Sequence, residues 1–224
     1  NITIGPLVQT WRIGFSDARL PSTEEIQQAL SLTDTNLLEL NPEDCSVFLT
    51  KKDMKLDLGA LAKGYIADKI KDYLLSQGVT SALINLGGNV LTIGQNAVSQ
   101  RAWRIGIQNP KLPRGNHSAI IAVTNQSVVT SGIYERTLTV EGQNYHHILD
   151  RKTGYPIENQ LASLTIVSDK SVDGEIWTTR LFGESPTSIL SQIEQQEGIE
   201  ALIITQDSQL FCSSGLLEQI IPAS

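Results

Sequence analysis

The chain is poor in cysteine, in histidine and in positive charge, and each shortage removes a class of function. Only Cys45 and Cys212 occur in 224 residues. They stand far apart and fit no metal-ligand spacing. Two buried free thiols are the expectation; a disulfide stays open, because sequence does not place their Cα atoms. Lys and Arg number 17 against 24 Asp and Glu, a net charge of −7. That balance argues against a general nucleic-acid binder, whose affinity comes from neutralising phosphates. It also leaves no polybasic membrane patch. No run approaches the ~20 apolar residues that a spanning helix needs. Repeats and low-complexity tracts are absent. No signal peptide or lipidation motif is visible, and the chain opens on Asn1 rather than Met. It therefore reads as the C-terminal portion of a longer chain.

What is present suits an ordinary globular protein, with 40% hydrophobic and 18% charged residues. Residues 1–224 are expected to form a single domain. Val8 to Phe15 reads as an extended start, broken before it by Gly5-Pro6. Ser22 and Glu25 have the spacing of a capping box, so a helix is expected from there to about Leu32. Residues 46–51 and 54–58 alternate like two strands around Lys52-Asp53. Gly59 to Gly78 reads as the main helix. Leu61, Tyr65, Ile66, Ile70, Tyr73 and Leu74 recur at helical spacing, and Gly78 stands where a stop belongs. Strands are expected at Val79–Leu86, Asn89–Ile93, 103–108, 118–124, 127–131, 134–140, 143–149, Leu161–Ser168, Ala201–Thr205 and Leu210–Cys212. Glu141-Gly142 marks a hairpin. Ser171–Phe182 and Thr187–Glu197 read as helices. Runs of strands with helices set between them indicate an α+β fold of mostly antiparallel sheets with packed helices.

Five segments can carry chemistry. Residues 56–68 (LDLGALAKGYIAD) end a strand, pass through small residues and begin a helix around Lys63. Helix N-termini offer N–H groups to anions, and small residues let a phosphate approach. The Walker pattern is absent, and an ordinary strand-to-helix turn is the plain alternative. Gly87-Gly88, after Asn85-Leu86, marks either close ligand approach or a hairpin corner. Thr130 to Arg136 places a hydroxyl, a glycine and charges between strands. Tyr145 to Pro156 (YHHILDRKTGYP) holds two of the three histidines side by side. Neighbours on a strand face opposite sides, so His146 and His147 do not share one metal and one of them faces a site. A histidine titrates near neutrality and suits proton transfer. Glu175 and Thr179, four apart on a helix, offer hard oxygens suited to Mg²⁺. Acids near a helix N-terminus also simply complement the dipole.

Taken together and in order, these segments resemble the FAD:protein FMN transferase family, the ApbE-like flavin transferases. The similar pieces are ITIGPLVQTW, LDLGALAKGYIAD, INLGG, WRIGIQNP, VVTSGIYER and YHHILDRKTGYPI, spread over essentially the whole chain. The resemblance implies an α+β fold, FAD as substrate and Mg²⁺. It implies transfer of FMN, with loss of AMP, to a Thr or Ser hydroxyl of an acceptor flavoprotein. Such acceptors are subunits of redox complexes or extracellular flavoproteins. By position, Lys63, Gly64 and Asp68 fall in the flavin-nucleotide cradle, with Gly87, Gly88, Ser131 and Gly132 along its wall. His147 matches the functional histidine, and Asp150 and Thr153 the turn after it. The metal would sit on Glu175 and Thr179 with a carbonyl of Ala60 or Ala62.

The chain departs from the family pattern at Glu175, where an aspartate is usual, at Arg151, where a proline is usual, and in lacking the family's N-terminal section. The resemblance further implies an extracytoplasmic, membrane-anchored or periplasmic setting for the full-length protein. Two readings compete: a metal-dependent FAD pyrophosphatase giving FMN and AMP, and a non-catalytic FAD-binding protein.

Overall fold

A computed structural model describes residues 1–222. In chain order it contains α1 (Gly5–Trp11), α2 (Thr23–Leu30), β1 (Leu38–Asn41), β2 (Ser46–Leu49), α3 (Ala62–Ser76), β3 (Ala82–Leu86), β4 (Asn89–Ile93), β5 (Trp103–Gln108) and β6 (His117–Val123). There follow β7 (Ser127–Gly132), β8 (Thr137–Val140), β9 (Gln143–His146), β10 (Leu161–Ser168), α4 (Ser171–Leu181), α5 (Pro186–Ile193), β11 (Ile199–Thr205), β12 (Leu210–Cys212) and β13 (Ile220–Pro222). Every strand pairing among the described residues is antiparallel. The fold is α+β, as expected. The chain forms two compact units: Asn1–Gly59 with Ile133–Glu158, and Ala60–Gly132 with the chain from Asn159 onward.

The second unit is built on a six-stranded sheet in the order β12-β11-β10-β7-β4-β3. Its central strand β10 (LASLTIVS) is buried at every position. That pattern means both faces are covered, and the side chains show by what. Val128, Val167, Leu202 and Ile204 pack against Ile105, Ile107, Ile121 and Val123 of a three-stranded sheet, β13-β6-β5. The opposite face carries helices. On α4, Gly174 lies so close to Val129 that an added Cβ would be 2.6 Å from its Cγ2. On α3, Ala67 packs with Ile84 and Leu91.

In α3 only part of the apolar series expected from spacing faces inward: Ile70 and Leu74 pack against Ala67, Ile84 and Leu91. Tyr65, Ile66 and Tyr73 are exposed, while Gly64 and Ala67 are buried. The reason is the neighbour: a Cβ on Gly64 would stand 2.6 Å from the Ser171 carbonyl oxygen. At the contact with α4, close helix approach selects small residues, and Tyr65 and Ile66 beside it face outward. The expected stop is present. Gly78 (φ +81°) follows the helix, with its N–H and that of Val79 returned to Leu75 and Leu74.

The first unit packs Leu7, Trp11, Ile13, Ile26 and Ala29 together. The expected extended start is a helix. Pro6 occupies the first turn, where its missing N–H costs nothing. The capping box is present: Ser22 Oγ accepts from Glu25 N at 3.3 Å, and the Glu25 carboxylate accepts from Ser22 N at 2.8 Å. Ser46–Leu49 does not pair with residues 54–58, which form no strand. It pairs with β1, across a turn held by the Asn41 carboxamide and the Asp44 carboxylate. The β8–β9 hairpin has Glu141 at φ +51° and Gly142 at φ +81°, the conformation a two-residue turn demands. Both cysteines are free, but Cys45 is exposed and Cys212 half-buried, which corrects the expectation of two buried thiols.

Candidate functional site

The second unit brings Lys63, Gly64, Asp68 and Glu175 together where α3 meets α4. Asp68 reaches across from α3 and caps α4. Its Oδ1 accepts from Ser171 N at 2.8 Å and its Oδ2 from Val172 N at 2.9 Å. The residue at the cap position itself, Lys170, supplies no side-chain bond. Gly64 allows the approach that makes this possible. Both residues thus have a structural reason to be what they are.

Glu175 is 4% exposed. A buried carboxylate needs hydrogen bonds and a counter-charge, and it has both. Asn89 Nδ2 donates to its Oε1 at 2.8 Å, and Lys63 Nζ stands 3.4 Å from the same oxygen. The Asn89 amide cannot turn over without loss, because its Oδ1 accepts from Ser171 Oγ at 2.6 Å. Asn89 and Ser171 are fully buried. Sequence reasoning missed both. The available signals were an asparagine opening the strand after Gly87-Gly88 and a serine opening the helix that carries Glu175.

Thr179 lies one turn beyond Glu175 but is exposed; the buried hydroxyl is Thr178, which donates to the Glu175 carbonyl at 3.1 Å. Gly87 (φ +63°) and Gly88 (φ +94°) form the β3–β4 corner, and a Cβ on either would touch nothing. Of the two readings of this pair, the hairpin corner accounts for them within the chain. Ser131 and Gly132 end β7, paired to Leu164 and Ser163. Ala62 is the first residue of α3. Helices α2, α4 and α5 each have a side-chain acceptor on their N-terminal N–H groups; α3 has none. Its opening turn, next to Lys63, therefore offers backbone donors to an anion.

The donor set suits Mg²⁺, which is usually held by one or two carboxylates with substrate phosphates. Glu175, Thr179 one turn on and a carbonyl of the turn before α3 have the oxygens that would hold it, Glu175 being buried and Thr179 exposed. No cluster of three or more His, Cys, Asp or Glu exists among the described residues.

The first unit holds His147, Asp150 and Thr153. Strand β9 ends at His146, so the histidine pair straddles the strand end. His146 is pinned. Its Nδ1 accepts from Ile148 N at 3.2 Å, so Nε2 carries the proton and donates to the Ile157 carbonyl at 2.8 Å. Burial pushes its pKa below the usual histidine value, against the opposing pull of that carbonyl. His147 Nδ1 lies 3.4 Å from the Arg136 carbonyl, which can only accept. The tautomer that makes this bond leaves Nε2 as the basic nitrogen. Asp150 and Thr153 build the following turn: Asp150 Oδ1 accepts from Lys152 N at 2.8 Å, and Thr153 Oγ1 from Tyr155 N at 3.3 Å. Gly154 (φ +76°) completes it, and its carbonyl accepts from the buried Trp11 indole at 2.8 Å.

The arrangement defines a class: an α+β protein with a clamped carboxylate–lysine pair beside a helix N-terminus open to anions. Comparison with known proteins is specific. The sequence profile of the ApbE family matches residues 1–203, and the chain belongs to that family. It is 45% identical over 214 residues to an FAD:protein FMN transferase of Klebsiella pneumoniae (strain 342), covering 96% of this chain and 66% of that protein. It is 33% identical to an FAD:protein FMN transferase of Treponema pallidum (strain Nichols), over 98% of this chain and 64% of the relative. The chain thus spans slightly less than two thirds of these relatives. Among solved structures, the ApbE protein of Thermotoga maritima superposes with a TM-score of 0.88 at 28% identity, over 98% of this chain and 71% of that one. The apo flavinyl transferase ApbE of Pseudomonas stutzeri gives 0.79 at 27%, over 98% and 68%.

Proposed function

We propose that the protein transfers FMN from FAD to a Thr or Ser hydroxyl of an acceptor flavoprotein, forming a phosphoester and releasing AMP, with Mg²⁺ bound. The observation that carries this reading is Glu175, buried yet held by Asn89 and Lys63 beside the uncapped start of α3. The names of the relatives point to the same chemistry. Lys63 and the first N–H groups of α3 bind the pyrophosphate, as a point charge and a set of oriented dipoles. Glu175 and Thr179, with a carbonyl of Ala60 or Ala62, would hold Mg²⁺. When bound, the ion neutralises charge on the pyrophosphate oxygens. The acceptor oxygen attacks the FMN-side phosphorus, and the bond to the AMP oxygen breaks. His147 is assigned as the base that takes the hydroxyl proton on Nε2, with Nδ1–H held by the Arg136 carbonyl. His146 is excluded from that role by its two backbone bonds. Gly87, Gly88, Ser131 and Gly132 are assigned to the wall of the nucleotide cradle. We assign the acceptor to redox-complex subunits or extracellular flavoproteins, and the full-length protein to an extracytoplasmic setting, which fractionation of expressing cells tests.

The assay is incubation with FAD, Mg²⁺ and an acceptor flavoprotein, read by intact mass. The acceptor gains the mass of an FMN phosphoester, and His147→Ala slows the gain ~10²–10⁴-fold, the usual contribution of a general base. A full rate in His147→Ala refutes the base assignment. Free FMN without modified acceptor selects FAD hydrolysis, and a yellow protein without turnover selects flavin binding alone.

A further inference from the structure

The Glu175 carboxylate is anchored through one oxygen, Oε1, on a helix that is itself held in place. Asn89 holds Oε1, Ser171 locks Asn89, and Asp68 and Gly64 fix α4 against α3. The remaining partner is of a different kind. Lys63 is 46% exposed at its side chain, against 5% for Glu175. Its Nζ stands 3.4 Å from Oε1, longer than the ~2.7–2.9 Å of a tight charge-assisted bond. A lysine ammonium is a compact point charge on a flexible stem, with no bidentate grip on a carboxylate. Asn89 is neutral, so Lys63 is the counter-charge that the structure gives this buried acid.

We propose that Lys63 is a resident stand-in for a divalent cation: its ammonium compensates Glu175 until the metal displaces it, and the released Lys63 is then available to phosphate. This rests on the assignment of Glu175 as a metal ligand made above. The physical logic is competition. A rigid buried carboxylate left without a cation is strongly unfavourable, so the metal-free protein needs one. A cation on a half-exposed, flexible arm can leave at small cost. The pair thus keeps the metal-free protein folded and weakens its metal binding by the cost of moving Lys63.

Isothermal titration of FAD-free protein with Mg²⁺ and Mn²⁺ tests this, with thermal melts alongside. In Lys63→Met the competitor is gone, so Mg²⁺ binds about tenfold tighter than in the wild type, equivalent to ~1.4 kcal/mol. The same variant melts about 4 °C lower without metal, and Mg²⁺ restores more of its Tm than it adds to the wild type. In Lys63→Arg the guanidinium grips the carboxylate in two places, and Mg²⁺ binds more weakly than in the wild type. Glu175→Gln abolishes the metal-induced shift in either background. Equal Mg²⁺ affinity in wild type, Lys63→Met and Lys63→Arg overturns the proposal, as does a metal shift that survives Glu175→Gln. If Lys63→Met does not fold, the Lys63→Arg titration decides alone. The transfer assay is separate: FMN transfer with unchanged metal affinities sinks this inference only. The predicted affinity order without transfer sinks the functional reading only.

Discussion

Replacing Gly64 by alanine sets two effects of opposite sign against each other. Position 64 is inside the 15-residue helix α3. Helix propensity alone favours alanine there by ~1 kcal/mol. Packing opposes it. The new Cβ would lie 2.6 Å from the Ser171 carbonyl oxygen, 2.7 Å from its carbon and 2.7 Å from the Val172 Cα. All three are backbone atoms, so no side chain can rotate away. Ordinary contact begins near 3.4 Å, so α3 and α4 must part by about 0.8 Å at this point. The Asp68 bonds of 2.8 and 2.9 Å span the same gap and stretch with it. Overpacking of this kind costs ~3 kcal/mol at the upper end of the usual range. The net is a loss of about 2 kcal/mol, or roughly 4–8 °C in Tm for a chain of this size. Calorimetry of wild type and Gly64→Ala measures it. A variant as stable as the wild type, or more so, refutes the claim that this glycine exists to let two helices touch.

Other outcomes follow from the same contacts. Asp68→Ala removes both acceptors at the start of α4 and should cost about 1–2 kcal/mol in urea denaturation, while Asp68→Asn keeps one oxygen and loses less. Trp11→Phe leaves the Gly154 carbonyl without its buried donor, and a loss of ~1–3 kcal/mol by the same method is expected. His146 has a folded pKa below its unfolded value, so its neutral form stabilises the fold. That contribution is complete above the ordinary histidine pKa, near 6.5, and is lost as pH falls from there toward the lowered folded value. Tm measured from pH 5 to 8 should therefore drop on the acid side, and less so in His146→Gln; an unchanged slope in that variant assigns the drop elsewhere.

The elements legible in the sequence are those whose determinants are local. The Ser22–Glu25 box, the Gly78 stop and the Glu141-Gly142 turn each act within a few residues, and each is present where expected. What failed depended on a neighbour distant in the chain. The helix α1 hides behind Gly5-Pro6, which reads as a break until Pro6 is seen in a first turn. The face of α3 was half legible: Ile70 and Leu74 pack inward as spacing indicates, while Tyr65, Ile66 and Tyr73 do not, because the contact with α4 takes only small residues. Likewise Ser46–Leu49 pairs with β1, the strand before it in the chain, and not with the residues after it.

The candidate site follows the same division. Types and spacings singled out Lys63, Glu175 and the pair His146 and His147, and the family resemblance added Asp68 and chose His147. Asn89 and Ser171 were not conspicuous, although they decide which way the Glu175 oxygen faces. The YHHILDRKTGYP segment shows the converse. Much of what makes it recognisable has a structural reason in this chain: Asp150 and Thr153 build a turn, Gly154 supplies its left-handed residue and the acceptor for Trp11, and His146 fastens the strand end to Ile148 and Ile157. A segment can thus be specific to a family because its fold is demanding, without every residue touching substrate. Removing those four from the account leaves His147. Of the residues proposed for chemistry in this segment it is the one with no turn to build, and the proposed base role rests on its Nε2, with Nδ1 3.4 Å from the Arg136 carbonyl.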